Sequence, residues 1–241
     1  SHQNISLTEA QKARLAGLID ARNRGQPISR MRGKREFWSS DFYLNSATLD
    51  PRPDSEVLVS SAIGFARNKS HQGSAVKVLD LGCGSGCLLL ATLSELPDAS
   101  GLGIDCVALA VAQSRANAAS LGLAGRADFQ LGCWAEGLQG QFDVILSNPP
   151  YICEGDTSLS AEVRLYDPNL ALFAGKDGLS AYRAFLPQIG AILAKAGQVF
   201  LEIGFGQRKA VAQIAEEAGL VLVHIAKDLA GIERCLVLAK K

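Results

Sequence analysis

From residue 76 onward, short apolar runs alternate with longer stretches in which apolar positions recur every three or four residues. Short aliphatic runs bounded by turn residues form strands, and the three-to-four spacing forms helices. The pattern predicts strands over 76–81, 101–105, 127–131, 142–147, 198–203, 221–225 and 234–239. Helices are expected over 87–96, 107–121, 180–193 and 207–218. Such alternation is the signature of an α/β fold with a doubly wound, mostly parallel, seven-stranded sheet. Ahead of it, 7–24 has helical spacing, with Leu15, Leu18 and Ile19 on one side and Thr8 placed to cap its start. One helix cannot form a domain alone, so it either packs on the main body or belongs to a larger N-terminal unit. Residues 37–54 mix aromatics with Pro51 and Pro53, and read as short strands or a hairpin leading into a Pro-Arg-Pro turn. A helix is expected over 55–67. The longest irregular stretch, 152–178, directly follows the tetrapeptide Asn148-Pro149-Pro150-Tyr151, where a functional loop is expected.

Composition narrows the classes. A chain of 241 residues that is 48% hydrophobic has ample material for one buried core. Lys plus Arg and Asp plus Glu are both 24, so the formal charge is zero, without the basic excess of a protein that clamps a nucleic acid backbone. The basic stretch 22–35 can meet RNA or an acidic surface, or be a solvated connecting segment, which is the expected reading. The six cysteines, Cys83, Cys87, Cys106, Cys133, Cys153 and Cys235, show no CxxC pair and no histidine at metal-ligand spacing. They read as reduced packing residues, with no metal. No apolar run approaches the roughly 18 residues that cross a bilayer, and the start has no signal-peptide core, so a cytoplasmic protein with no membrane partner is expected.

The first chemical signal is the loop Asp80-Leu81-Gly82-Cys83-Gly84-Ser85-Gly86, between a strand and a helix. Glycines there let a ligand lie against bare backbone, facing helix N-terminal amides. A dinucleotide fingerprint needs G-x-G-x-x-G, but the sixth position is Cys87 counted from Gly82 and Leu89 counted from Gly84. The spacing D-x-G-x-G-x-G resembles instead the motif of class I S-adenosylmethionine-dependent methyltransferases, whose cofactor presents a carboxylate, an ammonium and a sulfonium. Cofactor contacts are therefore expected at Asp80, Gly82, Cys83, Gly84, Ser85 and Gly86; the alternative is a plain strand-to-helix turn. Asp105 closes the next run, where it can accept from two ribose hydroxyls, cap the helix beginning near Val107, or do both. Trp134 offers a flat face to adenine, or packing for its own loop.

The second signal is the tetrapeptide. An amide nitrogen is a poor nucleophile because its lone pair is delocalised, so a catalyst has to orient both N–H bonds. The side-chain oxygen of Asn148 and the carbonyl of Pro149 can each accept one, while Pro149 and Pro150 stiffen the turn. Tyr151 can stack on the planar group and shield it from water. A rigid strand-ending turn is the alternative. No general base is required, so His2, His71 and His224 are not expected in catalysis.

A closer match lies in the order of REFWSSDFYLNSATLDPRPDSEVLV, VLDLGCGSGCLLL, GIDCVALAVAQSRANAASLGL, NPPY, EVRLYDPNLALFAGKDGLSAYR, GQVFLEIGFGQ and KDLAGIERCLVLAKK. Over about residues 27–241 this resembles the HemK/PrmC family, protein-(glutamine-N5) methyltransferases that modify the GGQ glutamine of peptide chain release factors. The resemblance implies S-adenosylmethionine contacts at 82–86, Asp105, Trp134 and Asn148, and an amide held by Asn148, Pro149, Pro150 and Tyr151. Arg52 and Pro53 resemble the segment bordering the site, with Glu56 nearby. The family usually has Thr after Pro-Arg-Pro-Asp/Glu where Ser55 stands here, which keeps the hydroxyl. It implies three segments: 1–30, a helix and linker left from a helical docking domain; 31–70, a hairpin and helix; and 71–241, the catalytic domain. A release factor is the expected partner, with no stable nucleic acid partner. The alternatives are a ribosomal protein glutamine as acceptor, an adenine-N6 nucleic acid methyltransferase, and a non-catalytic S-adenosylmethionine-binding module.

Overall fold

The computed structural model describes residues 7–70 and 75–241, so His2 and His71 lie outside the described residues. Helix α1 (Glu9–Asn23) begins at a capping box in which Thr8 and Gln11 satisfy each other's backbone N–H groups. It contributes no buried residue, and Leu15, Leu18 and Ile19 are exposed. A short helix α2 (Ile28–Arg32) leads into an antiparallel hairpin of β1 (Lys34–Phe37) and β2 (Ser40–Tyr43). The Pro-Arg-Pro turn becomes a 3-10 turn, Pro53–Ser55, that runs into α3 (Glu56–Ser70).

Seven strands follow: β3 (Lys77–Leu81), β4 (Ser100–Asp105), β5 (Ala127–Leu131), β6 (Phe142–Ser147), β7 (Leu193–Glu202), β8 (Leu220–Lys227) and β9 (Glu233–Lys240). They lie in the order β5-β4-β3-β6-β7-β9-β8. All neighbouring pairs are parallel except those made by β9, which runs antiparallel to both β7 and β8. The connecting helices are α4 (Cys87–Ser94), α5 (Ala108–Ser120), α6 (Ala161–Tyr166), α7 (Asn169–Leu172), α8 (Ser180–Ile192) and α9 (Arg208–Glu217).

Alternate residues of the central strands enter two cores. Val78, Val144, Leu146 and Phe200 point to the face covered by α3, α4 and α5, which also takes Phe37 and Phe42 from the hairpin. Leu79, Leu81, Ile145, Val199 and Leu201 point to the face covered by α8 and α9, where Tyr182, Phe185 and Ile189 lie. Burial on both faces is why β3 and β6 read as nearly continuous apolar runs, broken only by Asp80 and Asp143.

Two expectations change. β7 starts at Leu193 rather than near 198, because Gly197 lets the strand pass against the carbonyl oxygens of Phe142 and Asp143, where a Cβ would collide. The basic stretch is more than a solvated linker: it closes α1, forms α2 and opens β1, and the acidic groups it meets belong to the same chain. Arg22 pairs with Glu162 at 2.8 Å, Arg30 with Asp167 at 2.6 Å and Arg35 with Asp50 at 3.8 Å. Among the described residues no helix is long and apolar enough to cross a membrane.

Candidate active site

The strand order reverses at β3 and β6, which sit side by side in the middle of the sheet. Open α/β sheets bind ligands outside the carboxyl ends of the strands at such a point. Both sequence signals fall there: the glycine loop leaves β3, Asp105 ends β4, and Asn148 follows β6.

On the glycine-loop side is a cavity of about 300 Å³ whose lining includes Gly82, Gly84, Asp105, Asn148, Pro150 and Leu170. Gly84, at φ +56°, has open space where a Cβ would project. Its N–H donates to Asp105 Oδ2 at 2.8 Å, while Oδ1 of the same carboxylate accepts from the Val107 N–H at 2.9 Å. Burial raises the Asp105 pKa, and backbone hydrogen bonds from Gly84, Val107 and Cys106 oppose that. Asp105 thus ties the glycine loop to the start of α5 and still faces the cavity. Asp80 is fully buried: Oδ2 accepts from the Leu89 N–H at 3.3 Å, Oδ1 has no partner, and burial pushes its pKa to about 7. Cys83 and Ser85 are buried behind the loop, and the Ser85 carbonyl accepts from Asn117 Nδ2 at 2.8 Å. Gly86 takes a left-handed conformation at the N-cap of α4. Trp134 stacks on Phe185 with ring centroids 4.9 Å apart and does not line this cavity.

Asn148 also lines a second cavity of about 180 Å³, with Leu49, Arg52, Tyr151, Leu159 and Val163. Its Nδ2 donates to Ser55 Oγ at 3.2 Å, which commits the nitrogen end of the amide to the 3-10 turn. Pro149 is buried beneath the turn. Tyr151 is gripped at both ends. Its hydroxyl donates to Glu202 Oε1 at 3.2 Å, and its carbonyl accepts from Gln207 Nε2 at 3.0 Å. The same Gln207 nitrogen reaches the Gly178 carbonyl at 3.3 Å. Gly178 has φ +72°, and a Cβ there would run into the Tyr151 carbonyl, so the end of the 152–178 stretch is fitted to the tetrapeptide. Burial raises the Tyr151 pKa, with the Glu202 charge adding to it, so the phenol stays a neutral donor.

Asp167, between α6 and α7, takes Arg30 on one oxygen and Arg52 on the other. Those pairs fold the segment over both cavities. Pro53 stands exposed at the start of the 3-10 turn and lines neither cavity. Glu202 is 1% exposed, and burial raises its pKa to about 7 against the opposing influence of Ser55, Tyr151 and Arg234. Sequence reasoning passed over Glu202, Gln207 and Asp167. A lone carboxylate inside the apolar run Val199 to Ile203 was the available signal for the first; the other two act through contacts distant in sequence.

A seven-stranded sheet of this order, with a glycine loop and an Asn-Pro-Pro-Tyr turn at its reversal, defines a methyltransferase. Residues 61–168 match the methyltransferase small domain family. A solved ribosomal protein L11 methylase from Lactobacillus delbrueckii subsp. bulgaricus shares the fold, with a TM-score of 0.58 at 20% identity over 82% of this chain and 84% of that one. More specific are two proteins named release factor glutamine methyltransferase. That of Rhodospirillum rubrum is 44% identical over 98% of this chain and 71% of its own length. That of Bradyrhizobium diazoefficiens is 43% identical over 95% of this chain and 78% of its own. The chain belongs to the release factor glutamine methyltransferase family.

Proposed function

We propose that the chain methylates the side-chain amide nitrogen of the GGQ glutamine of a peptide chain release factor, using S-adenosylmethionine and leaving S-adenosylhomocysteine. The observation that carries this is the sharing of Asn148 by two cavities, one against the glycine loop and one against Tyr151 and Arg52. The names of the relatives support the substrate. The larger cavity fits the cofactor: bare backbone at Gly84 leaves room for it, and Asp105 supplies a carboxylate at the ribose position. When bound, S-adenosylmethionine supplies an electrophilic methyl group.

The remaining work falls to the chain. Asn148, its nitrogen held by Ser55, presents Oδ1 to one N–H of the incoming amide, and the Pro149 carbonyl takes the other. Fixing both N–H bonds holds this weak nucleophile, whose lone pair is delocalised into the carbonyl, in line with the methyl group and so lowers the barrier through orientation. Tyr151, Leu159 and Val163 enclose the apolar part of the glutamine side chain and exclude water. The surplus proton passes to solvent after transfer, so no basic side chain is assigned. Release factors work in the cytoplasm, where we place the reaction.

The test is incorporation of labelled methyl from S-adenosylmethionine into a purified release factor, beside the same factor with its GGQ glutamine changed to alanine. Label that depends on the glutamine is the expected result. Label that survives the change, or appears only on a ribosomal protein, overturns the assignment.

A further inference from the structure

Another cavity, of about 370 Å³, lies beside the acceptor cavity and shares Arg52 and Val163 with it. The rest of its lining comes from the N-terminal part of the chain, with Arg22, Arg35 and Asp50, and from the covering segment, with Glu162 and Asp167. The acceptor cavity is walled mainly by apolar side chains, whereas this one has three arginines and three carboxylates in its lining. That balance favours a polar ligand without net charge over an anion or a cation.

Two of the six charged groups are not satisfied within the chain. Asp50 is 3% exposed; its Oδ2 accepts from the Ser29 hydroxyl, while Oδ1 has no hydrogen-bond partner. Arg35 Nε stands 3.8 Å from that oxygen, too far for a hydrogen bond. Among the described residues the Arg35 guanidinium makes none, and its side chain is 37% exposed, so it is free to turn aside. Arg22 and Arg52 are by contrast tied to Glu162 and Asp167. A buried carboxylate oxygen without a donor, beneath an arginine without an acceptor, is a costly arrangement that a partner from outside the chain would complete.

We propose that this cavity is a subsite for the substrate's main chain next to the methylated glutamine, with Asp50 Oδ1 accepting a peptide N–H and Arg35 donating to a peptide carbonyl. A peptide unit carries one donor, one acceptor and no net charge, so it can satisfy both unmatched groups in a charge-balanced cavity. Arg52 and Val163 wall both cavities, so a chain whose glutamine side chain enters the smaller one has its backbone beside the larger. Arg35 turns off Oδ1 as the N–H arrives and takes the carbonyl instead. Resting on the assignment of the smaller cavity to the glutamine amide, this makes the enzyme read the residues beside its target through their backbone rather than their side chains.

The experiment uses synthetic peptides centred on the GGQ glutamine, in which each peptide bond within two residues of it is N-methylated in turn, removing one N–H and keeping the carbonyl. Affinity is read by calorimetry with S-adenosylhomocysteine present, and kcat and KM by methyl transfer, for wild type, Asp50→Ala and Arg35→Ala. In wild type one of the N-methylations should weaken binding by about tenfold and raise KM with kcat little changed. Asp50→Ala should bind the unmodified peptide about as weakly and lose nothing more on that N-methylation, because both changes remove the same hydrogen bond. Arg35→Ala, which removes an exposed side chain without hydrogen bonds, should keep the wild-type melting temperature and raise KM for the peptide and for a whole release factor. Equal sensitivity to N-methylation in wild type and Asp50→Ala, or an unchanged KM for the release factor in Arg35→Ala, would overturn the proposal. Peptide binding that shows the Asp50 coupling without any methyl transfer leaves the subsite standing and the functional assignment failed; glutamine-dependent transfer without the coupling gives the reverse.

Discussion

At the scale of single residues, the site depends on side chains that use both ends of a polar group. Asp105 joins the glycine loop to α5 through two backbone N–H groups, at 2.8 Å to Gly84 and 2.9 Å to Val107, and faces the larger cavity as well. Replacing it with alanine leaves two donors without acceptors, each costing about 1–3 kcal/mol where it is buried. Asp105→Ala should therefore lower the melting temperature and weaken S-adenosylmethionine binding together, measured by thermal unfolding and calorimetry. A loss of stability with cofactor affinity unchanged would reduce Asp105 to a helix cap. Asn148 and the glycine loop were legible in the sequence because each motif is local: four residues carry the Asn-Pro-Pro-Tyr turn, and seven carry the loop. Glu202 was not, since its partner Tyr151 comes from another part of the chain.

At the scale of elements, the same contrast separates the sheet from the segment that covers the site. Strands β3 and β6 were readable to within a residue or so, because a strand covered on both faces is apolar almost throughout and ends where the glycine or polar turn begins. Helices α6 and α7 were not, being six and four residues long, too short to show a period or to hold themselves as helices. What holds them is Asp167, whose side chain is 4% exposed and bridges Arg30 and Arg52, both more than a hundred positions earlier in the chain. The exposed Arg22 to Glu162 pair adds little to that hold. Removing one partner of a buried ion pair leaves the other charged and unmatched, at about 3–5 kcal/mol. Asp167→Ala should accordingly release the segment: amide exchange over 152–178 should quicken while strands β3 and β6 keep their protection. The KM for the protein substrate should rise more than kcat falls, since Leu159 and Val163 would no longer wall the acceptor cavity. Unchanged exchange over 152–178 would mean that the segment is held by its apolar contacts alone.

At the scale of the whole molecule, stability should fall as pH rises toward neutrality. Asp80 and Glu202 are buried in the two halves of the site, and burial lifts their pKa values from 3.8 and 4.5 to about 7. Between those limits each carboxyl binds a proton in the fold and releases it on unfolding. The folded state therefore holds more protons, and stability falls as pH rises through the window, levelling off above about pH 7, where both states are ionised. Each group contributes a slope of at most about 1.4 kcal/mol per pH unit. Asp156, Asp177 and Asp228, whose pKa values are lowered chiefly by hydrogen bonds from Ser158, Arg183 and the Ile232 N–H respectively, act with the opposite sign but below this window. Urea unfolding of Asp80→Asn at about pH 5.5 and 7.5 should show a smaller gain on acidification than wild type, because an amide has no proton to take up. An equal gain in both would place the titrating group elsewhere. The window is set by two carboxyls buried near the carboxyl ends of β3 and β7, with β6 between them.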